Sequence, residues 1–520
     1  MAPTSLYNAW IYTVISFAGF SYGFGFSVFV TAQGQPGFYQ YFGLDPTSTY
    51  TAHILDAVNA LFTAGAAFGA LTQSPLADVY GRRIALAVAG TTSLIGTALA
   101  AASVRVAMLI MVRLFQGFGL GMILALVPLY LNEVAPPHQR GLISGLTVVS
   151  FGTGYFVCSW IAVGTYYANT TVQWRVPLAL ACISPLLLLL SLPTIPETPR
   201  YLIWSGKKEQ AYNVLRRLHL KPGDTDDRMA HAEYTQIVLQ VEHDKEMKVG
   251  WIQIFKKPSL RRRAILGMFL LFATPSTGII GISNYLPPIF AGLGLSGVLP
   301  LVMYGIWTTL GTGMAIVSIF IVDKVGRRTL LLYGYPALAL LLMIQAVLQS
   351  QFIGTDKQGG LAACLVFLFL YILTFQLVDA PAFIWASEIW PTAYRAKGIS
   401  LSLFSFFVGS LTYTTPSALA FKTIAWRMYI LYTCLCLICG VIIYLFIKET
   451  RNLPMEELAA LFGDEVVVHL SKDMTGIIED NSLEKLTAVV GHGHIESLEL
   501  AVPKSTGHAR HSSTPVAAAT

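Results

Sequence analysis

Charge is what this chain has least of. Only 12% of its 520 residues are charged and 54% are hydrophobic, with a mean hydropathy of +0.60. A soluble globular chain carries about twice that charged fraction, so a single soluble domain is excluded. Cysteine is sparse as well. Cys158, Cys182, Cys364, Cys434, Cys436 and Cys439 match no zinc spacing, and all six fall inside apolar segments, where free cysteine packs as a small hydrophobe. The first apolar segment lacks the charged n-region of a cleavable signal and is long enough to span a membrane itself. No Ser-His-Asp arrangement, metal motif or phosphate-binding glycine loop is visible, which argues against an enzyme, and neither a cofactor nor a metal is expected. The net charge of +6 sits in the loops between apolar segments, so it reads as membrane orientation beside a lipid bilayer, not as nucleic-acid binding.

What the chain does have is long oily runs. About twelve segments can cross a bilayer core: roughly 9–32, 52–76, 82–104, 106–132, 141–167, 174–192, 264–290, 299–322, 329–350, 361–386, 397–420 and 427–447. Helices are expected, because a lone strand in lipid could not satisfy its own backbone. GFGLG at 117–121 lies inside such a run, where glycines serve close helix packing. The segments divide six and six around a basic stretch. The expected domains are therefore a first bundle at 1–196, a linker of short amphipathic helices at 197–263, a second bundle at 264–450 and a largely disordered tail at 451–520. GHGH at 491–494 reads as part of that solvated tail.

One motif is written twice. LADVYGRR at 76–83 returns as IVDKVGRR at 321–328, with its acid 245 residues further on (323 − 78). Gly81 and Gly326 permit a tight reversal between two helices. Asp78 and Asp323 close the preceding helix, and Arg82, Arg83, Arg327 and Arg328 can reach acids or helix ends. These turns, with PPHQRG at 136–141 and YRAKG at 394–398, alternate onto the same side as the basic linker. That side is expected to be cytoplasmic, with both termini on it and the plasma membrane as the residence. Asn169 begins the N-x-T sequon Asn169-Thr170-Thr171 on the opposite side, a candidate glycosylation site.

An ordered set of motifs carries a resemblance: GFSYGFG at 19–25, GALTQSPLADVYGRR at 69–83, RLFQGFGLGMILALVPLYLNEVAPPHQRG at 113–141, PETPRYL at 196–202, VDKVGRR at 322–328, ASEIWPTAYRAKG at 386–398 and KETRNLPMEEL at 448–458. Over residues 15–460 the sequence resembles the sugar porter family of the major facilitator superfamily, closest to its fungal members. The resemblance implies an all-α membrane protein of two six-helix bundles and a cytoplasmic gate of ion pairs. Arg82 and Arg83 would meet Glu133 and Arg140. Arg327 and Arg328 would meet Glu388 and Arg395. Glu197 and Glu449 would cap the two clusters.

The departures bear on cargo. Many proton-coupled members carry an acid where this chain has Gly25, while the usual basic partner survives as Arg113. A buried unpaired arginine is costly, so Asp56 is expected to pair with Arg113, and if transport is coupled to protons the coupling candidates are Asp56, Arg113 and Asp379, with Asp56, Asp379 or both as the carriers. Asp379 lies deep in the tenth segment beside Pro381 and is a candidate for both coupling and cargo recognition. In the seventh segment Thr274 and Pro275 stand where hexose carriers show paired glutamines, and Ile280 replaces an asparagine. Val148 and Phe383 replace a fifth-helix glutamine and a tenth-helix tryptophan. A site stripped of hydroxyl-binding groups disfavours an ordinary hexose. The substrate-binding candidates are Ser276, Thr277, Ser283, Asn284, Tyr285, Asp379, Phe383 and Trp385; Thr308 and Thr309 are further polar candidates.

The leading reading is an alternating-access transporter of a small organic solute, sugar-like by family, either coupled to protons or facilitated. An exporter of a less polar or aromatic metabolite is the alternative on the same fold, and a non-transporting nutrient sensor is the alternative of another class.

Overall fold

The computed structural model describes residues 6–135, 140–219, 228–246, 250–355, 357–391 and 394–451, together with Phe462, 469–470 and 477–478. Residues 1–455 form one compact unit. Its first part runs α1 (Leu6–Gln33), α2 (Pro36–Phe42), α3 (Thr49–Tyr80), α4 (Arg82–Ala101), α5 (Val106–Val134) and α6 (Arg140–Thr165), then one crossing in two pieces, α7 (Thr170–Leu180) and α8 (Ile183–Ser191). Four short helices follow: α9 (Pro199–Trp204), α10 (Lys208–His219), α11 (Arg228–Glu246) and α12 (Trp251–Lys256). The second part runs α13 (Pro258–Ser276), α14 (Ile279–Asn284), α15 (Leu286–Gly292), α16 (Leu299–Val325), α17 (Arg327–Phe352), α18 (Gln358–Glu388), α19 (Arg395–Thr414), α20 (Ser417–Thr423) and α21 (Arg427–Phe446). In the separate unit at 456–520, β1 (His469–Leu470) pairs antiparallel with β2 (Ile477–Ile478). The rest of the tail, GHGH included, lies outside the described residues, as does PPHQ at 136–139.

Ten helices among the described residues are long and apolar enough to cross a membrane, against about twelve expected. The two that fall short have a common cause. The seventh crossing is broken into α13, α14 and α15, and it opens on Arg261, Arg262 and Arg263. The eleventh, α19, carries Ser400, Ser402, Ser405 and Ser410, all buried. Both pack against protein on most sides, so lipid does not demand an apolar surface of them. The small helices have a modest core of their own, built on Leu202, Ile203, Ala211, Leu215, Ile237 and Val241.

Close helix approach sets the first bundle. A Cβ on Gly117 or Gly121 of α5 would lie 2.0 or 2.1 Å from the carbonyl oxygens of Phe62 and Ala66 in α3. The two backbones touch there, which only a residue without a side chain permits.

The repeated motif folds the same way twice. Gly81 (φ 98°, ψ 164°) links α3 to α4, and Gly326 (φ 104°, ψ 152°) links α16 to α17. Both lie where L-residues are strained. An added Cβ would also stand 2.6 Å from Glu197 Oε2 in the first turn and 2.7 Å from Glu449 Oε2 in the second. Glycine is therefore required for the turn and for the glutamate that sits on it.

Candidate functional site

Each of those glutamates caps a helix. Glu197 accepts from the backbone N–H groups of Arg82 and Arg83, both at 3.0 Å. Glu449 accepts from those of Arg327 and Arg328 at 2.9 and 3.0 Å. A carboxylate on the free N–H groups of a helix start satisfies those donors and meets the positive end of the dipole. Burial pushes the Glu197 carboxyl above its ordinary value of 4.5, against the opposing pull of N–H bonds from Thr198, Arg83 and Arg82.

The arginine side chains then turn inward. Arg82 makes a bidentate pair with Glu133, Nε to Oε2 at 2.9 Å and Nη2 to Oε1 at 2.8 Å, with both side chains nearly buried. Asp78 stands 3.9 Å from Arg82. In the repeat, Arg327 reaches Asp323 at 2.9 Å and Glu388 at 3.0 Å. Arg83 and Arg328 form no side-chain ion pair among the described residues; Arg328 instead donates to the Tyr444 carbonyl at 3.0 Å. Arg395 is buried, and the Arg140 side chain lies outside the described residues. Lys397, which sequence reasoning did not single out, makes an ion pair between the two parts: its Nζ lies 2.8 Å from Asp78 Oδ2.

A cavity of about 170 Å³ lies between the two parts. The first part lines it from α1, α5 and α6, with Tyr22, Phe26, Val148 and Tyr155 prominent. The second lines it from α13, α14, α16, α18 and α19, with Ile280, Trp307, Gln376, Asp379, Phe383 and Phe406 prominent. Most hydroxyls at the wall are already spent. Ser283 donates to Ile279 O at 2.5 Å, Thr312 to Gly152 O at 2.8 Å, and Thr308 meets Ser159 at 2.7 Å. Tyr22, Tyr155, Gln376 and Asp379 line the cavity and make no side-chain hydrogen bond among the described residues. Asp379 is the sole charged residue of the wall among the described residues.

Of the eight substrate-binding candidates, Ser283, Asp379 and Phe383 line this cavity. The others do not, for identifiable reasons. The Ser276 hydroxyl donates to Tyr413 OH at 3.0 Å. Thr277 is fully buried, donates to Thr274 O and accepts from Tyr371 OH on its carbonyl. Asn284 is buried off the wall. Tyr285 donates to Asp56, and Trp385 turns away to donate to the Lys448 carbonyl at 2.8 Å. Thr309 accepts from the Trp160 indole outside the cavity. Gln376 had a readable signal, standing three residues before Asp379 on one face of α18. Tyr22 lay inside the quoted GFSYGFG.

The expected Asp56–Arg113 pair is not formed. Asp56 Oδ1 accepts from Tyr285 OH at 2.7 Å and from Ala418 N at 2.9 Å, and Oδ2 accepts from Leu419 N at 3.3 Å. Arg113 is fully buried and solves its charge without an acid. It donates to Gln116 Oε1 at 2.8 Å and Gly25 O at 3.2 Å, and its guanidinium lies 4.1 Å from the Phe62 ring centroid and 5.0 Å from that of Phe29. Two aromatic faces and a carbonyl take the place of a carboxylate. Asn169 is exposed at the start of α7, with its side chain unused as a cap. No group of His, Cys, Asp and Glu able to hold a metal occurs among the described residues.

Two helical bundles with matched turns, closed around a cavity at their junction, define a multi-pass membrane carrier of the major facilitator fold. The solved structure of the proton:xylose symporter XylE from E. coli, bound to 6-bromo-6-deoxy-D-glucose, superposes with a TM-score of 0.76 at 23% identity, over 88% of this chain and all of that one. The sugar (and other) transporter family model matches residues 11–462, and the chain belongs to that family. MFS-type transporter criB of Aspergillus cristatus is 29% identical over 485 residues, 92% of this chain and 98% of that protein. Quinate permease of Neurospora africana is 29% identical over 497 residues, 90% of this chain and 92% of its own length. The protein is thus an integral membrane transporter of small sugar-like solutes, and its relatives are transporters, not enzymes.

Proposed function

We propose that the chain carries a neutral, ring-bearing, hydroxylated solute by alternating access through the central cavity, with transport coupled to protons at Asp379. Residues 1–196 and 264–450 act as the two rocking halves, 197–263 as a brace of small helices on one side and 451–520 as a tail. The GRR turns face the cytoplasm at the plasma membrane. Arg82, Arg83, Arg327, Arg328, Lys397, Lys207, Lys208, Arg216, Arg217, Lys256 and Lys257 gather basic charge on their side. Asn169 then faces outward as the glycan acceptor.

The observation that carries this reading is the solitary carboxyl of Asp379 on a wall shared by both halves. A lone acid among apolar groups is stabilised by taking up a proton or by a hydrogen-bond donor of the cargo. Tyr22, Tyr155 and Gln376 add a few directed hydrogen bonds, while Phe383, Phe406 and Trp307 offer ring faces. With an acid and no basic residue on the wall, a carboxylate cargo of the kind named for the quinate permease would be repelled, which favours neutral solutes. Gly25 has no carboxyl and Asp56 is already engaged by three donors, so neither competes for the coupling role. Arg82–Glu133 and Arg327–Glu388, with Asp78, Asp323 and Lys397 beside them, act as the cytoplasmic gate, and Glu197 and Glu449 hold its two turns.

The test is uptake into proteoliposomes with an imposed proton gradient, using a panel of hexoses, cyclic polyols and their carboxylate analogues. Neutral members should accumulate, and a protonophore should abolish the accumulation. Asp379→Asn should lose uphill accumulation yet keep counterflow exchange of the same solute. Accumulation by Asp379→Asn that still collapses with the protonophore would remove the coupling role.

A further inference from the structure

One carboxylate fastens the two halves together at the end away from the GRR turns. Asp56 lies eight residues after Ser48, the residue that caps α3, and is 5% exposed. Every donor it accepts from belongs to the second half: Tyr285 OH from the α14–α15 junction, and the N–H groups of Ala418 and Leu419 in the first turn of α20. Asn59, one turn along α3, donates its Nδ2 to the same Tyr285 hydroxyl at 3.3 Å. Lys422, one turn along α20, donates to the Thr47 carbonyl just before α3 begins. At the other end α3 meets α19 through Asp78–Lys397 at 2.8 Å and through Gln73, whose amide donates to Ser400.

The α3 helix is therefore tied to the second half at both ends, by different chemistry. The GRR end uses side-chain charges. The far end uses a buried acid that gathers two backbone donors and a phenol. Opening the cavity toward the far side must separate α3 from α15 and α20, and that motion breaks all three bonds to Asp56 at once.

We propose that Asp56, with Tyr285, is the latch of the far-side gate: a positioning residue for the transport cycle that stabilises the far-closed state and touches neither cargo nor the coupled proton. The rigid pairing explains why an acid sits in a membrane helix with no ion pair among the described residues. Its place is taken by directed N–H and O–H donors, which a carboxylate accepts better than any neutral side chain. The proposal rests on two-sided access, which the counterflow assay tests separately.

The experiment reads cavity accessibility in the full chain. Ile280→Cys and Ser387→Cys each place a reporter thiol on the cavity wall, Ile280 in α14 toward the far end and Ser387 beside Glu388 at the GRR end. A membrane-impermeant maleimide is applied to right-side-out vesicles for the first reporter and to inside-out vesicles for the second. Loss of three shared bonds in Asp56→Ala should raise far-side labelling about tenfold or more, and loss of two in Tyr285→Phe, one to Asp56 and a longer one from Asn59, should raise it roughly threefold. Labelling from the GRR side should stay level or fall, because the far-open and GRR-open states compete. Tyr285→Phe removes a single oxygen and keeps the ring, so it reports even if Asp56→Ala folds poorly. Unchanged far-side labelling in Tyr285→Phe, or an equal rise on both sides, would overturn the latch.

Discussion

Removing Glu133 should cost this transporter more than removing any other acid of the GRR cluster. The Glu133 and Arg82 side chains are only 4% and 8% exposed, and the pair is bidentate at 2.8 and 2.9 Å. Without Glu133, Arg82 keeps the Ala77 carbonyl at 3.0 Å and a distant Asp78 at 3.9 Å, and Arg200 loses the charge of Glu133 as well. A buried ion pair broken on one side costs about 3–5 kcal/mol, most of it from the charge left behind. Replacing both members with apolar residues of similar volume is close to neutral on the same argument. Glu133→Leu should therefore destabilise the protein by about 3–5 kcal/mol, and the double variant Arg82→Met with Glu133→Leu should recover the part that comes from Arg82, leaving the part that comes from Arg200. The measurement is a double-mutant cycle on denaturant unfolding in detergent, followed by tryptophan fluorescence. The matching change in the second half, Glu388→Leu, should be milder, about 1 kcal/mol, because Glu388 is 21% exposed and Asp323, 52% exposed, still neutralises Arg327 at 2.9 Å. Additive single effects, or a Glu388 loss as large as the Glu133 loss, would refute the reasoning.

Two further outcomes are expected. Gly81→Ala and Gly326→Ala should each cost about 1–3 kcal/mol from backbone strain, with the glutamate displaced as well, and thermal melting of the purified variants reads this. Adding Glu197→Ala should relieve part of the Gly81→Ala loss by removing the atom 2.6 Å from the new Cβ. Because burial holds the Glu197 carboxyl above 4.5, the native state keeps its proton to higher pH than the unfolded chain does. The stability from this group is fully present below about 4.5 and is lost as pH rises through its folded value; the unfolding midpoint of Glu197→Gln should lack that slope.

Much of the fold was legible because membrane crossing leaves a coarse signal. Apolar runs of fixed length, two GRR turns and a basic linker need no alignment to read, and the observed helices fall within a few residues of the expected spans. The seventh and eleventh crossings were harder to place by hydropathy alone, because protein and not lipid surrounds them. The Arg82–Glu133 and Arg327–Glu388 contacts were implied by the family resemblance, and both are formed. The cavity wall was less legible. Ser276, Thr277, Asn284, Tyr285 and Trp385 have the residue types of a sugar site, yet their bonds run to Tyr413, Thr274, Asp56 and the Lys448 carbonyl, or they lie off the wall. A broken helix has no constant period, so the faces of α13, α14 and α15 could not be phased from the sequence.

The sequence by itself determined a multi-pass membrane protein with about twelve apolar segments, since the energetics of lipid and of backbone hydrogen bonds act on composition and length, while the carrier reading came from its resemblance to the sugar porter family. It also determined that Gly25 brings no acid and that Asp379 stands deep in a span. Only the tertiary structure decided where the lone charges go. Asp56 and Arg113 look like partners along the chain because both are charged and near the same end. In three dimensions Arg113 is sandwiched by Phe29 and Phe62, and Asp56 reaches across to Tyr285 and α20. Hydrogen bonds and cation–ring contacts act over a few ångströms and depend on which faces meet, which is information that the packing of helices creates and that residue spacing does not hold.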